Sequence, residues 1–525
     1  MNNKQTYNSP IIKIILFMLL ISAYSYADPD FHLLMTIRGE SPGDAFSTVV
    51  GLGDFNQDGY DDFAVGAHKG NYVNIYYGSS SPDTNAILKL TEKSGFGWSL
   101  ASGDFNGDGV PDLIVGAPYA NETYGQVSIY FGGESFAGTP DIIIDGTVYY
   151  AFFGISIANA GDINGDGYED FIIGADAVWE TTGYVYIYFG GPELNGEWDY
   201  CFEGLIEERI GYSIDGLGDI NHDGYDDIII GTSSVFSPEK AYIIYGGKTL
   251  SDENLVDITG DTTVCEFGRH VSGIGDINHD SIPDFVITSS TKYRPNNRLI
   301  NIYSGDSLTL MYTFRGFDYN GSVNAISSKM DVNNDGINDL LVGFGDRNSL
   351  YAGKVLCYMG GSDFDTIPDY ILAGSTHHHF FGSSIVEIGD FTGNGNKEIA
   401  IGQQGINEYV DDPSVLTYGK VFIYTFGEYS DVKEKTVPTG YHLKQNYPNP
   451  FNAVTTITFT IQDPGFVELS VYDIKGSLIS VLEKNHLSSG NHTYTFNAVG
   501  LSSGIYLYKL SCNNQSVIRK MVYVK

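Results

Sequence analysis

Cysteine is scarce in this chain. There are four in 525 residues, at Cys201, Cys265, Cys357 and Cys512, with no paired short spacing. That excludes a small scaffold held together by disulfides. Methionine (7) and tryptophan (3) are also few, and 28 Lys plus Arg stand against 65 Asp plus Glu. The net charge of −37 repels phosphate backbones and argues against nucleic acid as a partner. Beyond residue 30 no apolar run approaches the roughly 20 residues that a membrane-spanning helix needs, so none is expected. What is plentiful is Gly (64) and Tyr (39), within a chain that is 42% apolar and 14% aromatic. That is ample for a large core and unlike a disordered chain. Glycine and tyrosine favour tight turns and strands, so helical bundles and coiled coils drop out. An acidic, mostly β protein is left.

The N-terminus is read separately. Lys4 and Lys13 flank or enter an apolar stretch that is uninterrupted from Ile14 to Ile21. Ser25-Tyr26-Ala27 then fits a small-x-small cleavage site before Asp28. This predicts a signal peptide over residues 1–27 and an exported mature chain.

One nonapeptide pattern, acidic-x-Asn-x-Asp-Gly-x-x-acidic, recurs along the chain. It begins at Asp54, Asp104, Asp162, Asp219, Asp276, Asp331 and, in degenerate form, Asp390, with steps of 50, 58, 57, 57, 55 and 59. Before each loop stands a short alternating run, as in Phe96 to Gly103, and after it an apolar run, as in Leu113 to Ala117. Two further runs complete the unit, here Gln126 to Phe131 and Asp141 to Asp145. Four short strands per repeat predict a propeller blade, and seven repeats predict a seven-bladed β-propeller over residues 28–429. The last repeat stops at its third strand, Lys420 to Tyr424. The segment Leu33 to Gly39 resembles an outer strand and is expected to complete that blade, leaving no open edge.

Side-chain oxygens at loop positions 1, 3, 5 and 9, with the carbonyl of position 7, can converge on one hard cation, and Gly at position 6 permits the sharp turn. The candidate ligands are Asp54, Asn56, Asp58, Tyr60 and Asp62 in the first loop, and Asp104, Asn106, Asp108, Val110 and Asp112 in the second. The third has Asp162, Asn164, Asp166, Tyr168 and Asp170, and the fourth Asp219, Asn221, Asp223, Tyr225 and Asp227. The fifth has Asp276, Asn278, Asp280, Ile282 and Asp284, and the sixth Asp331, Asn333, Asp335, Ile337 and Asp339. The seventh is Asp390, Thr392, Asn394, Asn396 and Glu398. Mixed carboxylate and carboxamide oxygens favour Ca²⁺, one per intact loop, whereas Zn²⁺ calls for His and Cys. An EF-hand needs Glu at position 12, where this chain has only Val or Ile, from Val65 to Ile401. The alternative is a set of metal-free Asp/Asn/Gly turns. Ser281 at the glycine position of loop five and the weaker ligands of loop seven mark those two as the poorest sites.

Phe96-Gly97, the loop Asp104 to Asp112 and Gly116-Ala117-Pro118 resemble FG-GAP repeats, as in integrin α-subunit propellers, over about residues 31–428. The resemblance implies ions that brace hairpins on one face and a ligand bound elsewhere, usually on the opposite face. Copies four to seven depart from Gly-Ala-Pro, with Gly231-Thr232, Thr288-Ser289, Gly343-Phe344 and Gly402-Gln403.

After Tyr429 the period stops. Residues 430–440 read as a polar linker and 441–525 as a small Ig-like β-sandwich, with runs at 456–461, 467–472, 477–482, 493–496 and 504–510. Gln445-Asn446-Tyr447-Pro448-Asn449-Pro450-Phe451-Asn452, Val471 to Gly476, Ser503 to Tyr506 and Lys520-Met521-Val522 resemble the C-terminal sorting domain of the Bacteroidetes type IX secretion system. That implies delivery across the outer membrane by the type IX machinery, with the cargo released or held at the cell surface.

No Gly-x-Ser-x-Gly, His-Glu-x-x-His or Walker loop is present. His377-His378-His379 reads as an exposed turn, and Cys201 and Cys265 as residents of comparable fourth-strand regions. The leading reading is a non-enzymatic, calcium-braced surface module that binds an extracellular protein or glycan. The alternative is a propeller-fold polysaccharide lyase or other glycan-active enzyme drawing on Arg209, Arg269, His270 and Arg347.

Overall fold

Each Asp-rich loop runs into an apolar strand, and the first four of these, Asp62–Ala67, Asp112–Ala117, Asp170–Ala175 and Asp227–Thr232, are buried at every residue. A strand covered on both faces needs no polar alternation, which explains sequences such as DFAVGA and DFIIGA. The cover comes from neighbouring sheets. In the computed structural model, residues 31–427 and 441–525 are described, apart from 135, 177–181, 207, 233–239, 261–263, 292–293, 316–320, 328, 347–352, 375–378, 406–416, 445, 462–463, 474–477 and 513–514. The expected signal peptide and linker lie outside the described residues, as do Arg347, His377 and His378. The chain divides into two compact units, Met1–Glu428 and Tyr429–Lys525.

Among its described residues the first unit is all-β apart from a four-residue helical turn, Ala120–Thr123, and a 3₁₀ turn, Asp252–Asn254. Its described strands form seven antiparallel sheets. The first runs Phe46–Gly53, Asp62–Ala67, Tyr72–Tyr76 and Leu88–Thr91, in spatial as in chain order. The second, Leu100–Gly103, Asp112–Ala117, Gln126–Tyr130 and Ile142–Asp145, repeats this order, and so do the third (156–203), fourth (210–259) and sixth (321–373). The fifth carries an additional short strand: Val264–Cys265 and Val271–Gly275 both pair with Asp284–Thr291. Cys265 therefore does not share the fourth-strand position of Cys201, which lies in Tyr200–Glu203. The fourth strand preceding it is Leu255–Thr259.

The seventh sheet joins the two ends of the unit. Its order is Phe31–Arg38, Lys420–Phe426, Glu398–Gly405 and His379–Gly389, so the N-terminal strand occupies the outer edge. Register runs from Phe31 opposite Phe426 to Arg38 opposite Lys420. The Phe31 ring also packs edge-on against Phe426 (4.9 Å) and against Tyr370 of the sixth sheet (5.5 Å).

Seven apolar clusters lie between consecutive sheets, and one of them joins the last sheet to the first through Ile388, Phe391 and Ile423 against Phe46, Phe63 and Val65. The sheets thus close into a ring. Close packing of neighbours is set by glycine: a Cβ on Gly66 would lie 2.2 Å from the Gly97 carbonyl oxygen, and one on Gly116 2.2 Å from that of Gly154. Gly97 and Gly154 themselves sit at φ +85° and +84°.

The second unit holds two sheets around one core. Tyr441–Leu443, Val454–Ile461 and Gly490–Asn497 form the smaller sheet. Leu478–Leu487, Gly465–Asp473, Gly504–Cys512 and Gln515–Tyr523 form the larger, and Ile457, Phe459, Val467, Leu469 and Tyr508 meet between them. The strands Tyr441–Leu443 and Gln515–Tyr523 are additional to the runs read from the sequence. The Asn-Tyr-Pro-Asn-Pro-Phe segment is structural. Asn449 Oδ1 accepts from the Val522 amide (2.7 Å), Asn446 Nδ2 donates to Thr455 (2.9 Å), and Phe451 bonds to the Val522 and Val524 backbone.

Candidate metal sites and the opposite face

The seven loops share one hydrogen-bond pattern, dictated by their short side chains. In the first, the Asp58 and Gly59 amides donate to the two Asp54 oxygens (2.8 and 2.9 Å), and Asp58 N–H donates also to Asn56 Oδ1 (2.8 Å). Tyr60 N–H donates to Asp58 Oδ1 (3.0 Å), and the Asn56 amide group to Asp58 Oδ2 (3.0 Å). The same bonds hold Asp104, Asp162, Asp219, Asp276, Asp331 and Asp390 at position 1. Position 6 has φ between +84° and +92° wherever it is glycine, and +74° at Ser281.

Position 9 differs from the rest. Asp62, Asp112, Asp170, Asp227, Asp284, Asp339 and Glu398 are all at most 1% exposed. Each opens the strand after its loop or lies one residue before it, and five of them take amides from two directions. Asp62 accepts from Asn56 (3.2 Å) in its own loop and from Gly78 (2.8 Å) at the turn after the third strand. Gly132, Gly190, Gly246 and Gly360 act likewise on Asp112, Asp170, Asp227 and Asp339. At Asp284, the Gly305 amide is near enough to lower the carboxyl's pKa, yet Oδ1 stays outside hydrogen-bond geometry.

Burial pushes all seven of these carboxyls up to about 7, and neighbouring loop carboxylates push the same way. Among the described residues, none of the loop carboxylates forms an ion pair. A buried carboxylate beside two more, with no cation near, is the electrostatic condition that a bound hard cation relieves. The donor set therefore fits Ca²⁺. Among the described residues no three His, Cys, Asp or Glu side chains converge at metal-binding distance, and Asn amide groups and backbone N–H groups donate to the loop carboxylates. In loop seven, Thr392 and Asn394 both donate to Glu398 Oε1 (3.0 and 3.2 Å), which leaves that loop the most self-satisfied.

The opposite ends of the strands carry a feature that motif reading missed. His68, Trp98, Tyr119, Phe152, Tyr150, Tyr149 and Tyr124 form one continuous run of rings. The centroid steps are 4.5, 5.3, 5.6, 6.2, 4.2 and 5.3 Å. All seven come from turns that lie away from the Asp-rich loops, and Tyr119, Tyr149 and Tyr150 are 40%, 49% and 40% exposed. Burial lowers His68 to about 4, so its ring is neutral at physiological pH. Tyr150 and Phe152 sit at φ +57° and +53°, a strained backbone for bulky side chains. The available signal was an aromatic at turn positions that polar residues usually fill, as at Trp98 after Phe96-Gly97 and Tyr119 after Gly-Ala-Pro.

Of the basic residues named for an enzymatic site, the described ones, Arg209, Arg269 and His270, end at the same side of the ring but in two places. Arg209 forms a paired contact with Asp176 (3.1 and 2.7 Å). Arg269 lies 5.7 Å from the Tyr212 ring and pairs with Glu266 (3.4 Å), while His270 lies 6.1 Å from the same ring. His270 also borders a cavity of about 700 Å³ lined by Asp215, Ser272, Glu169, Asp226 and Lys329.

Comparison with known proteins follows these boundaries. The FG-GAP repeat model matches residues 46–81, 96–130, 153–188 and 211–245, including the fourth copy despite its Gly231-Thr232. The model of the secretion system C-terminal sorting domain matches 445–525. Integrin alpha-5 of Xenopus laevis is 31% identical over 278 residues, 48% of this chain and 26% of the relative. Integrin alpha-3 of Cricetulus griseus is 39% identical over 158 residues, 28% of this chain and 15% of the relative. The chain thus spans about a quarter or less of the length of these relatives. A solved structure titled "Structure of Dos1 propeller" aligns with a TM-score of 0.41 at 12% identity, covering 73% of this chain and 79% of that one. Among the described residues no helix is long and apolar enough to cross a membrane. The chain carries FG-GAP repeats related to those of integrin alpha chains and ends in a C-terminal sorting domain that directs secretion to the cell surface.

Proposed function

We propose that the chain is an adhesive module of the cell surface. Its residues 28–429 form a seven-bladed β-propeller braced at one end by Ca²⁺ in the Asp-rich loops. The other end binds an extracellular protein or glycan, and 430–440 links it to an Ig-like sandwich (441–525) read by the type IX machinery. The cation would be held by positions 1, 3, 5, 7 and 9 of each intact loop. It would supply the positive charge that the buried carboxylates at position 9 lack.

The observation that carries the binding reading is the run of rings from His68 to Tyr124. Partly exposed aromatics joined across three adjacent sheets offer large contact area at small conformational cost, for a sugar face or for a protein hot spot. Binding to a panel of immobilised polysaccharides and extracellular proteins tests it. Trp98→Ala and Tyr119→Ala should each weaken the bound partner at least tenfold with melting temperature unchanged. Equal binding by both variants would remove this face from the function.

The enzymatic reading has one observation in its favour, the approach of Tyr212, Arg269 and His270. Incubation with the same polysaccharides, followed by ultraviolet absorbance of unsaturated products, decides it. Product that disappears in Tyr212→Phe would establish a lyase.

A further inference from the structure

Three of the Asp-rich loops, the second, third and seventh, are held from outside by a carboxylate of the next sheet in the ring. Position 8 of the following loop carries the contact. Asp61 accepts from the Asp390 amide (2.6 Å), Glu169 from Asp104 (2.9 Å) and Asp226 from Asp162 (2.8 Å). The recipient in these three is the backbone of position 1, the first candidate ligand of the preceding loop. Loops two, five and six have Pro111, Pro283 and Asn338 at position 8 and offer no such carboxylate. In sheet three the bracing acid is itself oriented from the position three residues before its loop, where Asn159 Nδ2 donates to Glu169 (2.9 Å).

Loop seven also lacks an acid at position 8, where it carries Lys397. The Asp331 amide nevertheless donates to a carboxylate, that of Glu387 (3.2 Å), and Lys397 grips Glu387 at 2.7 Å. Glu387 stands three residues before Asp390, where Asn159 stands before Asp162. Acid and orienting partner have exchanged places across the hairpin, and the bond to the neighbouring loop is kept.

We propose that Glu387, oriented by Lys397, is a positioning residue for the sixth loop. It fixes the backbone of Asp331 so that its carboxylate faces the cation, in place of the acid that loop seven lacks. This rests on the reading of the loops as calcium sites. The degenerate seventh repeat then supports the site beside it, whatever its own affinity. Groups that hold a ligand from behind commonly change metal affinity by about 10–100-fold when removed.

The test is calcium titration of the full chain by calorimetry, with melting temperatures in calcium and in EDTA. Glu387→Gln should weaken one of the bound equivalents about 10–100-fold and leave the others unchanged. Its melting temperature should fall in calcium but not in EDTA. The exchanged pair Glu387→Asn with Lys397→Glu, which rebuilds the arrangement of sheet three, should restore the lost equivalent. An unchanged isotherm for Glu387→Gln overturns the proposal, and so does an equal loss of melting temperature with and without calcium. If the unaltered chain binds no calcium, it is the reading of the loops that fails.

Discussion

At the scale of single residues, the position-9 carboxylates govern how the ring responds to pH. Their carboxyls stand at about 7, from ordinary values of 3.8 for Asp and 4.5 for Glu398. Without calcium the folded chain therefore holds more protons than the unfolded one between about pH 4 and 7. The stability this lends is complete below about pH 4 and is lost as pH rises through 7. In EDTA the melting temperature should fall as pH is raised from 5 to 8. In calcium, which binds the ionised form, that fall should shrink or reverse, and a flat EDTA profile would contradict the burial described above. Ser281 makes a second point. It holds a left-handed φ of +74° where six other loops have glycine, so Ser281→Gly should stabilise by about 1 kcal/mol in urea unfolding.

At the scale of elements, the outer strand of the seventh sheet closes the ring. Phe31 and Ile37 are 1% exposed, and the strand covers the edge that Lys420–Phe426 would otherwise present. Deleting residues 28–39 should leave that edge open and produce aggregates on size exclusion. A monomeric variant of unchanged melting temperature would place closure elsewhere. The strand's role was legible because the last repeat lacks a fourth strand while the N-terminus has one to spare. The added strand at Val264–Cys265 was not, because two residues leave no periodicity to read. The tail strands Tyr441–Leu443 and Gln515–Tyr523 were missed for a different reason: their neighbours are set by pairing with Val454–Ile461 and Gly504–Cys512, not by their own pattern.

At the scale of the whole molecule, the proposed cations should act as one brace distributed around the ring. At about 5 mM calcium, sites with affinities near 10⁻⁴ to 10⁻³ M each contribute about 1–2 kcal/mol, so chelation should lower the melting temperature by several degrees. Equal melting in EDTA and in calcium would leave the loops as metal-free turns. The second unit has its own core and is expected to fold separately. A chain ending at Glu428 should melt as the full ring does and keep its ligand, yet stay inside a type IX-secreting host. Surface display of that truncated chain would take the delivery role away from the tail.

Contiguous residues were enough to specify the all-β class, the number and order of the Asp-rich loops, the side-chain oxygens each offers and the sorting tail. Nine positions or a short signature suffice to define a turn and its chemistry. What surrounds those turns came only from packing. Asp61 reaches the Asp390 amide across 329 residues of chain, and Gly78 closes over Asp62 from the far end of its own hairpin. The ring run from His68 to Tyr124 is assembled from turns of adjacent sheets. No spacing along the chain encodes such contacts. They arise when twisted sheets pack side by side and bring equivalent loops within hydrogen-bond reach of one another.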